Sequence, residues 1–444
     1  MKKYIGACMF GLAATAATET TAADFRSFYN VAVENAHEVK GGLARVEAAG
    51  YEVHEARAAY LPQISFNYTD SDTHKNIEYS SQTAIDGNNT NYETTEQYWL
   101  VSQSLIDAPK AWALEAAKAG QRQALFESDS DRLAFGYDML AQYLEALGMQ
   151  ERIDAAQAQL RYLKERTERE KRELDAGRIV PSVYAVTLSS LSEAEAEHAR
   201  AMADYEAIQK NFCQLSTYTP CPLSVEPETI ENSVLKVPHI TKKEIERLES
   251  GLARHPDLQA LSEAQNRVRN ESAQASSGFL PIVSLEYENR TDDNGGSIFD
   301  GSSKIDTSIL RLTARINLFE GGKKFAQRGR KQSELVSLQT EFDIRYRELT
   351  SDLNRALSSY YAAVYAESSL KAATRRQKTV VALAQQQVDA GFETFDKVLE
   401  VKAEEVRMQV SRHRAVRDAI LAIADMEVAS GRPPLRAIDA LSGI

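Results

Sequence analysis

The residue types that ordinarily do chemistry are present but dispersed. The seven histidines stand at 37, 54, 74, 198, 239, 255 and 413, without the i, i+4 spacing or neighbouring Cys and carboxylates that hold a metal. Each reads as a surface residue or helix cap. "DSDTH" at 70–74 and "DDNGG" at 292–296 have the oxygen-rich composition of a cation loop, yet neither is followed by the bidentate Glu that completes one. Gly321 and Gly322 suit a phosphate cradle only superficially. No third Gly and no Lys-Ser/Thr pair accompany them, so they read as the end of a strand. No G-x-S-x-G, Walker or Rossmann sequence occurs. The expectation is a protein with no catalytic centre, cofactor or metal. Cys213 and Cys221, eight apart in "NFCQLSTYTPCPLS", remain as the pair that an oxidising compartment would join into a staple.

The composition, 43% hydrophobic and 26% charged with 11 Pro in 444 residues, is that of an ordered chain. A net charge of -12 repels a phosphate backbone, and no basic stripe with interleaved aromatics appears, so nucleic-acid binding is set aside. Residues 1–23 read as an export signal: Lys2 and Lys3, the apolar "YIGACMFGLAATAA", then small residues up to Ala23. Cys8 imitates a lipoprotein box, but too few residues precede it for a charged region and an apolar core. Beyond the signal there is no run of eighteen apolar residues, which excludes a transmembrane helix. A role in a membrane must then use β-strands.

The elements that would position any site come twice. "AYLPQISFNY" at 59–68 returns as "GFLPIVSLEY" at 278–287, and "SLIDAPK" at 104–110 as "NLFEGGK" at 317–323. "ELDAGR" at 173–178 returns as "QVDAGF" at 387–392, and "NAH" at 35–37 aligns with "ARHP" at 253–256. Four landmarks in one order at nearly one offset make an internal duplication. The expected division is repeat 1 over 24–219, a Pro-rich linker over 220–238, repeat 2 over 239–431, and a tail over 432–444.

Within each repeat a first helix, roughly 26–60 and 242–278, stops at Leu-Pro, where Pro disfavours the helical conformation of its predecessor. Period two then takes over. Strands are expected at about 62–70, 94–106, 281–290 and 304–319. Leu310, Leu312, Ala314, Ile316 and Leu318 alternate with Arg311, Thr313, Arg315 and Asn317, giving one greasy and one wet face. Ile64, Phe66 and Tyr68 alternate with Ser65, Asn67 and Thr69, and Trp99, Val101 and Leu105 stand against Ser102 and Ser104. Trp99, Tyr98 and Tyr92 suit either an aromatic girdle at a bilayer boundary or ordinary strand packing.

Long Pro-free segments follow, 110–176 and 323–390, with Leu335, Leu338, Phe342, Leu349, Leu353, Tyr360 and Val364 stepping by threes, fours and sevens. As continuous helices they are rods of about 100 Å. Each breaks at a "DAG", where Gly177 and Gly391 suit the left-handed cap, and a second helix returns over about 182–215 and 395–430.

Four two-faced strands cannot close into a barrel, because the smallest spanning barrels have about eight and hydrocarbon tolerates no open edge. If these strands span, several chains must each lend four. The duplicated layout, the Leu-Pro that opens a strand in each half, "NLFEGGKK" at 317–324 and the "DAG" turns resemble the outer-membrane efflux proteins of the TolC type, over essentially all of residues 24–434. That resemblance implies a mixed α/β membrane protein: a trimeric twelve-stranded β-barrel continued by a long periplasmic α-helical barrel. It implies a passive gated duct in the outer membrane, serving type I protein secretion or multidrug efflux. Its partners would be a periplasmic adaptor and an inner-membrane ABC or proton-driven transporter.

The resemblance further implies a periplasmic aperture closed by acidic side chains. Glu400 falls where an acid is expected; Lys397 stands where a second often occurs, with Asp396 beside it. The adaptor-contact tips would be Gly177, Arg178, Ile179 and Val180 in one hairpin and Gly391, Phe392, Glu393 and Thr394 in the other. The competing expectations are a solvated Glu400 and tips that cap their own hairpins. A different class of function, a soluble periplasmic coiled-coil adaptor or scaffold, would have no use for the lipid-compatible strands. The cargo is not written in the sequence.

Overall fold

The computed structural model describes residues 25–75, 90–215, 221–223, 237–296 and 301–441. The export signal and most of the 220–238 linker lie outside the described residues. In chain order the elements are α1 (Phe25–Asn35), α2 (His37–Ala58), β1 (Gln63–Lys75), β2 (Thr90–Ile106), α3 (Ala108–Asp175) and α4 (Pro181–Cys213). The second half carries α5 (Lys242–Glu249), a 3-10 turn at Leu252–Arg254, α6 (Pro256–Ser277), β3 (Ile282–Asn294), β4 (Ser303–Arg315), α7 (Lys323–Asp389), α8 (Phe395–Ala429) and α9 (Leu435–Asp439). Both halves thus run helix, strand, strand, long helix, returning helix.

The two rods span 68 and 67 residues without a break, and their ends follow from local chemistry. Asp107 caps α3 by accepting from the Lys110 N–H at 3.2 Å, with Pro109 in the first turn, where no partner for its missing N–H is needed. At the start of α7 the chain turns through Gly321 and Gly322 at φ 58° and 83°, a conformation that strains any residue with a Cβ. That explains the double glycine as backbone geometry.

The first helix of each half departs from expectation: it is broken. The chain leaves α1 at Ala36, whose φ and ψ are -55° and 140°, and in the second half the break occupies 250–255. His255 caps α6 there, its Nδ1 accepting from the Asp257 N–H at 3.2 Å, and Pro256 opens the helix. The aligned landmarks "NAH" and "ARHP" are the positions of these breaks. α1 is displaced from the line of α2 because its own apolar face is buried elsewhere: Phe25 stacks on Tyr143 of α3 at 4.1 Å and Phe28 on Phe212 of α4 at 5.1 Å.

These aromatics belong to the largest core, which sits at one level of the rods. It gathers Leu140 and Leu144 of α3, Leu258 of α6, Leu353 and Tyr360 of α7, Ile420 and Ile423 of α8 and Ile438 of α9. Tyr360 Oη donates to the Pro238 carbonyl at 2.8 Å and accepts from the Ile240 N–H at 3.1 Å, pinning the chain as it enters the second half. Cys213 and Cys221 are bonded, S–S 2.01 Å, between core residues Phe212 and Leu223. A smaller cluster of Ala384, Val398 and Val401 joins α7 to α8 near the second tip.

The strands form one antiparallel meander in the order β1-β2-β3-β4, so β1 and β4 are each paired along one side only. Three of the four run farther than the apolar pattern suggests, to Lys75, back to Thr90 and to Asn294, through residues polar on both faces. β4 stops earlier, at Arg315, with Ile316 and Leu318 exposed beyond the ladder.

Candidate functional site

Cross-strand neighbours share a face, so the register assigns each side chain to one of two surfaces. Ile64, Val101, Tyr287 and Leu310 form an unbroken apolar row across all four strands. Below it lie Leu285 and Leu312; above it Phe66 packs on Trp99 with ring centroids 4.9 Å apart. Ile64, Phe66, Leu310 and Leu312 are all at least half exposed. The apolar band climbs on β1 and β2 and descends on β3 and β4, as expected where strands tilt through a bilayer. A bulge between Ser104 and Ile106 lets Ile106 pair with Val283 and return to this face.

The other surface is charged. Arg290 reaches Asp292 at 2.6 Å, Glu96 at 2.9 Å and Glu288 at 4.0 Å, with its guanidinium 5.9 Å from the Tyr98 ring centre. Arg311 meets Glu286 at 3.3 Å. The sequence places Glu286, Glu288, Arg311 and Arg315 on the wet face but leaves Arg290, the centre of this hub, unremarked, although Glu288, Arg290 and Asp292 at alternate positions announce a shared face. Tyr98 and Tyr92 also lie on this surface, since they share parity with Ser102 opposite Gln63. Of the three aromatics considered for a girdle, Trp99 alone faces the apolar side.

At the hairpin tips, Gly177 and Gly391 hold φ 70° and 78°. Each closes its helix with the paired bonds of a Schellman turn: Arg178 N–H to Glu173 O at 2.8 Å and Gly177 N–H to Leu174 O at 2.9 Å, with Phe392 to Gln387 at 2.8 Å and Gly391 to Val388 at 3.0 Å in the second half. The residue placed for the apolar contact of such a turn is Arg178 in the first tip and Phe392 in the second. Phe392 is 83% exposed and Val180 60%, while Ile179 is half-buried. Glu393 accepts from the Thr394 N–H at 3.3 Å, so both acid and hydroxyl residue are held at the surface.

One turn into α8, Lys397 Nζ lies 3.0 Å from Glu400 Oε2, both side chains solvated, while the neighbouring Val398 and Leu399 are buried. The side chain of Asp396 lies outside the described residues. Glu400 and Lys397 are thus brought together as an i, i+3 pair.

A buried polar clasp joins α3 to α8. Glu151 is 2% exposed and touches the Arg417 guanidinium, with His413 Nδ1 at 3.7 Å from its other oxygen. A Cβ at Gly148 would come within 3.0 Å of Arg417 Nη2, so glycine leaves room for the guanidinium. Burial pushes the Glu151 carboxyl up to about 7 against the opposing pull of Arg417. No helix among the described residues is long and apolar enough to cross a membrane. No group of three or more His, Cys, Asp or Glu among them is placed to hold a metal.

Known proteins share this arrangement. The family model for outer membrane efflux protein matches residues 28–215 and again 248–427. The chain is similar to the "Proteases secretion protein PrtF" of Dickeya chrysanthemi, 23% identical over 339 residues, 74% of this chain and 70% of that one. It is similar also to the "Alkaline protease secretion protein AprF" of Pseudomonas aeruginosa, 21% identical over 369 residues, 82% and 75% of the two chains. Among solved structures, the Campylobacter jejuni CmeC outer membrane channel superposes with a TM-score of 0.76 at 14% identity, covering 95% of this chain and 89% of that one. The outer membrane protein VceC of Vibrio cholerae gives 0.72 at 14% identity, covering 92% and 96%. With both halves matched, the chain belongs to the outer membrane efflux protein family: it is an outer-membrane exit duct rather than an enzyme, and its helical part lies in the periplasm.

Proposed function

We propose that three copies of the chain pool their strands into a twelve-stranded barrel, continued by their helices as a periplasmic tunnel, and that this duct exports polypeptide. The observation that carries the assembly is the sheet: four strands, two unpaired edges and an exposed apolar face. Each edge must find a partner in hydrocarbon, and antiparallel order is kept when β4 of one copy meets β1 of the next. The division into repeats over 24–219 and 239–431, joined by the 220–238 linker, is supported by one family model matching twice. Polypeptide cargo is supported by two relatives named for protease secretion.

The energy and the inner end of the path come from partners: a periplasmic adaptor and an inner-membrane ABC or proton-driven transporter. The exposed Phe392 and Val180, on turns whose backbone is already satisfied, are the apolar anchors offered to the adaptor. Run unheated on a detergent gel, the outer-membrane fraction should show a trimer that heat converts to monomer. A soluble monomer would refute the assembly. Deletion of the gene should remove specific proteins from the medium, and an unchanged secreted proteome would remove the polypeptide reading.

Glu400 is the proposed aperture residue. Three copies about a narrow axis would repel one another and attract cations, with each Lys397 offsetting part of that charge. Glu400→Ala is expected to raise single-channel conductance in planar bilayers and weaken block by divalent cations. Unaltered currents would take Glu400 out of the gate.

A further inference from the structure

Just below the sheet, α2, α3, α6 and α7 lie side by side in that order, α3 touching α2 and α6, and α6 touching α7. The outer two, α2 and α7, both send side chains into one cavity of about 610 Å³ over the small residues Ala113, Ala117 and Gly120 of α3. A cavity bounded by the two flanking members of a layer lies on the layer's concave side. It also shares a side with the charged face of the sheet. Lys110, next to the cavity-lining Pro109, donates to Ser104 Oγ at 2.6 Å, and Ser104 stands opposite Ser284 on the face that carries Glu286.

In a chain whose net charge is -12, this cavity is cationic. Arg267, Lys324, Arg330 and Lys331 line it against two carboxylates, Glu52 and Glu271. Glu271 is already occupied, by Lys331 in direct contact and by Arg267 at 3.5 Å. Lys324 has only a loose neighbour, Glu320 at 3.9 Å, and Arg330 acts on Glu334 only through space, with no contact within ion-pair distance among the described residues. Lys324, Gln327 and Lys331 recur at i, i+3 and i+7, so the first two turns of α7 present one coherent stripe to the cavity.

We infer that this cavity is an anion subsite in the wall of the duct, which holds acidic stretches of a passing polypeptide through Lys324 and Arg330. The inference rests on the duct reading, because the concave side is the conducting side only there. Cations six residues apart on a helix, about 9 Å along its axis, match carboxylates spaced along an extended chain. The wall then alternates in sign along the path: acids dominate the sheet face above, cations the junction. An acidic segment moving outward passes from attraction at the junction to repulsion at the sheet face, so it is not held so tightly that it stalls.

The test uses the purified full-length protein in planar bilayers at about 0.1 M salt, where such charges act over about 10 Å. Deca-glutamate should reduce the current, with deca-lysine as the opposite-charge control. In Lys324→Gln/Arg330→Gln the half-blocking concentration of deca-glutamate should rise about tenfold, the loss of roughly one weak charge contact's worth of affinity. The reversal potential in a KCl gradient should shift toward cation preference. Arg328→Gln, an exposed cation of the same helix that does not line the cavity, should leave both unchanged. A conducting wild type whose deca-glutamate block is the same in the double variant overturns the subsite. A preparation that conducts nothing overturns the duct reading beneath it.

Discussion

A Leu310→Arg chain is expected to yield no heat-sensitive trimer in the outer membrane, while Ile309→Arg, one residue away, assembles as the parent does. Leu310 is 70% exposed in the single chain and sits in the apolar row with Ile64, Val101 and Tyr287. A charge on the lipid face near the midplane costs about 2–4 kcal/mol, and three copies in the proposed trimer would bring this to about 6–12 kcal/mol. Ile309 stands opposite Glu288 on the charged face, so an arginine there enters water beside a carboxylate. Heat-modifiable gels of outer-membrane fractions check both variants at once. Equal assembly of the two would mean that the greasy face does not meet lipid, and the barrel would have to be abandoned.

The second large effect lies in the buried clasp. Arg417→Met strips the cation from a carboxylate that is 2% exposed, and breaking a buried pair from one side costs about 3–5 kcal/mol. The loss must depend on pH in a definite direction. Glu151 has a folded pKa of about 7, above its ordinary 4.5, so its contribution favours the folded chain fully below 4.5 and is lost as pH rises through about 7. Removing Arg417 disfavours the ionised form still more. Thermal unfolding followed by the helical circular-dichroism signal should therefore show a larger deficit at pH 8 than at pH 5.5. Adding Glu151→Gln to the variant should recover most of it. A deficit equal at both pH values, or no recovery by the amide, would show that Arg417 acts through packing alone.

Much of the fold was legible because punctuation is local. Pro62 and Pro281, the double glycine at 321–322 and the "DAG" turns bracket the strands and rods, and the observed ends fall within a few residues of them. Where no such residue stands, the sequence was mute. Nothing in "VENAHEV" interrupts helical periodicity, and the break at Ala36 arises from the separate burial of Phe25 and Phe28 against α3 and α4. The strands outlast their greasy pattern because ladder pairing needs only backbone, so Asp70–Lys75 continue to pair after both faces have turned polar. The bulge at Leu105 escaped for the same reason: a pattern of period two cannot display its own interruption. The site divides likewise. Alternation within one strand exposes the Arg290 hub, whereas Glu151 and Arg417 are 266 positions apart and meet only through helix packing.

The near-equality of α3 and α7, 68 against 67 residues, carries a constraint of its own. Both rods start at the foot of the same sheet, so their far turns arrive at one depth, and a flat rim can be met squarely by whatever abuts it. Losing four residues from one rod alone would lift that turn by about 6 Å and leave a notch in the rim. Shortening or lengthening is therefore tolerable only when both halves change together, which ties two stretches of chain that never touch along most of their length.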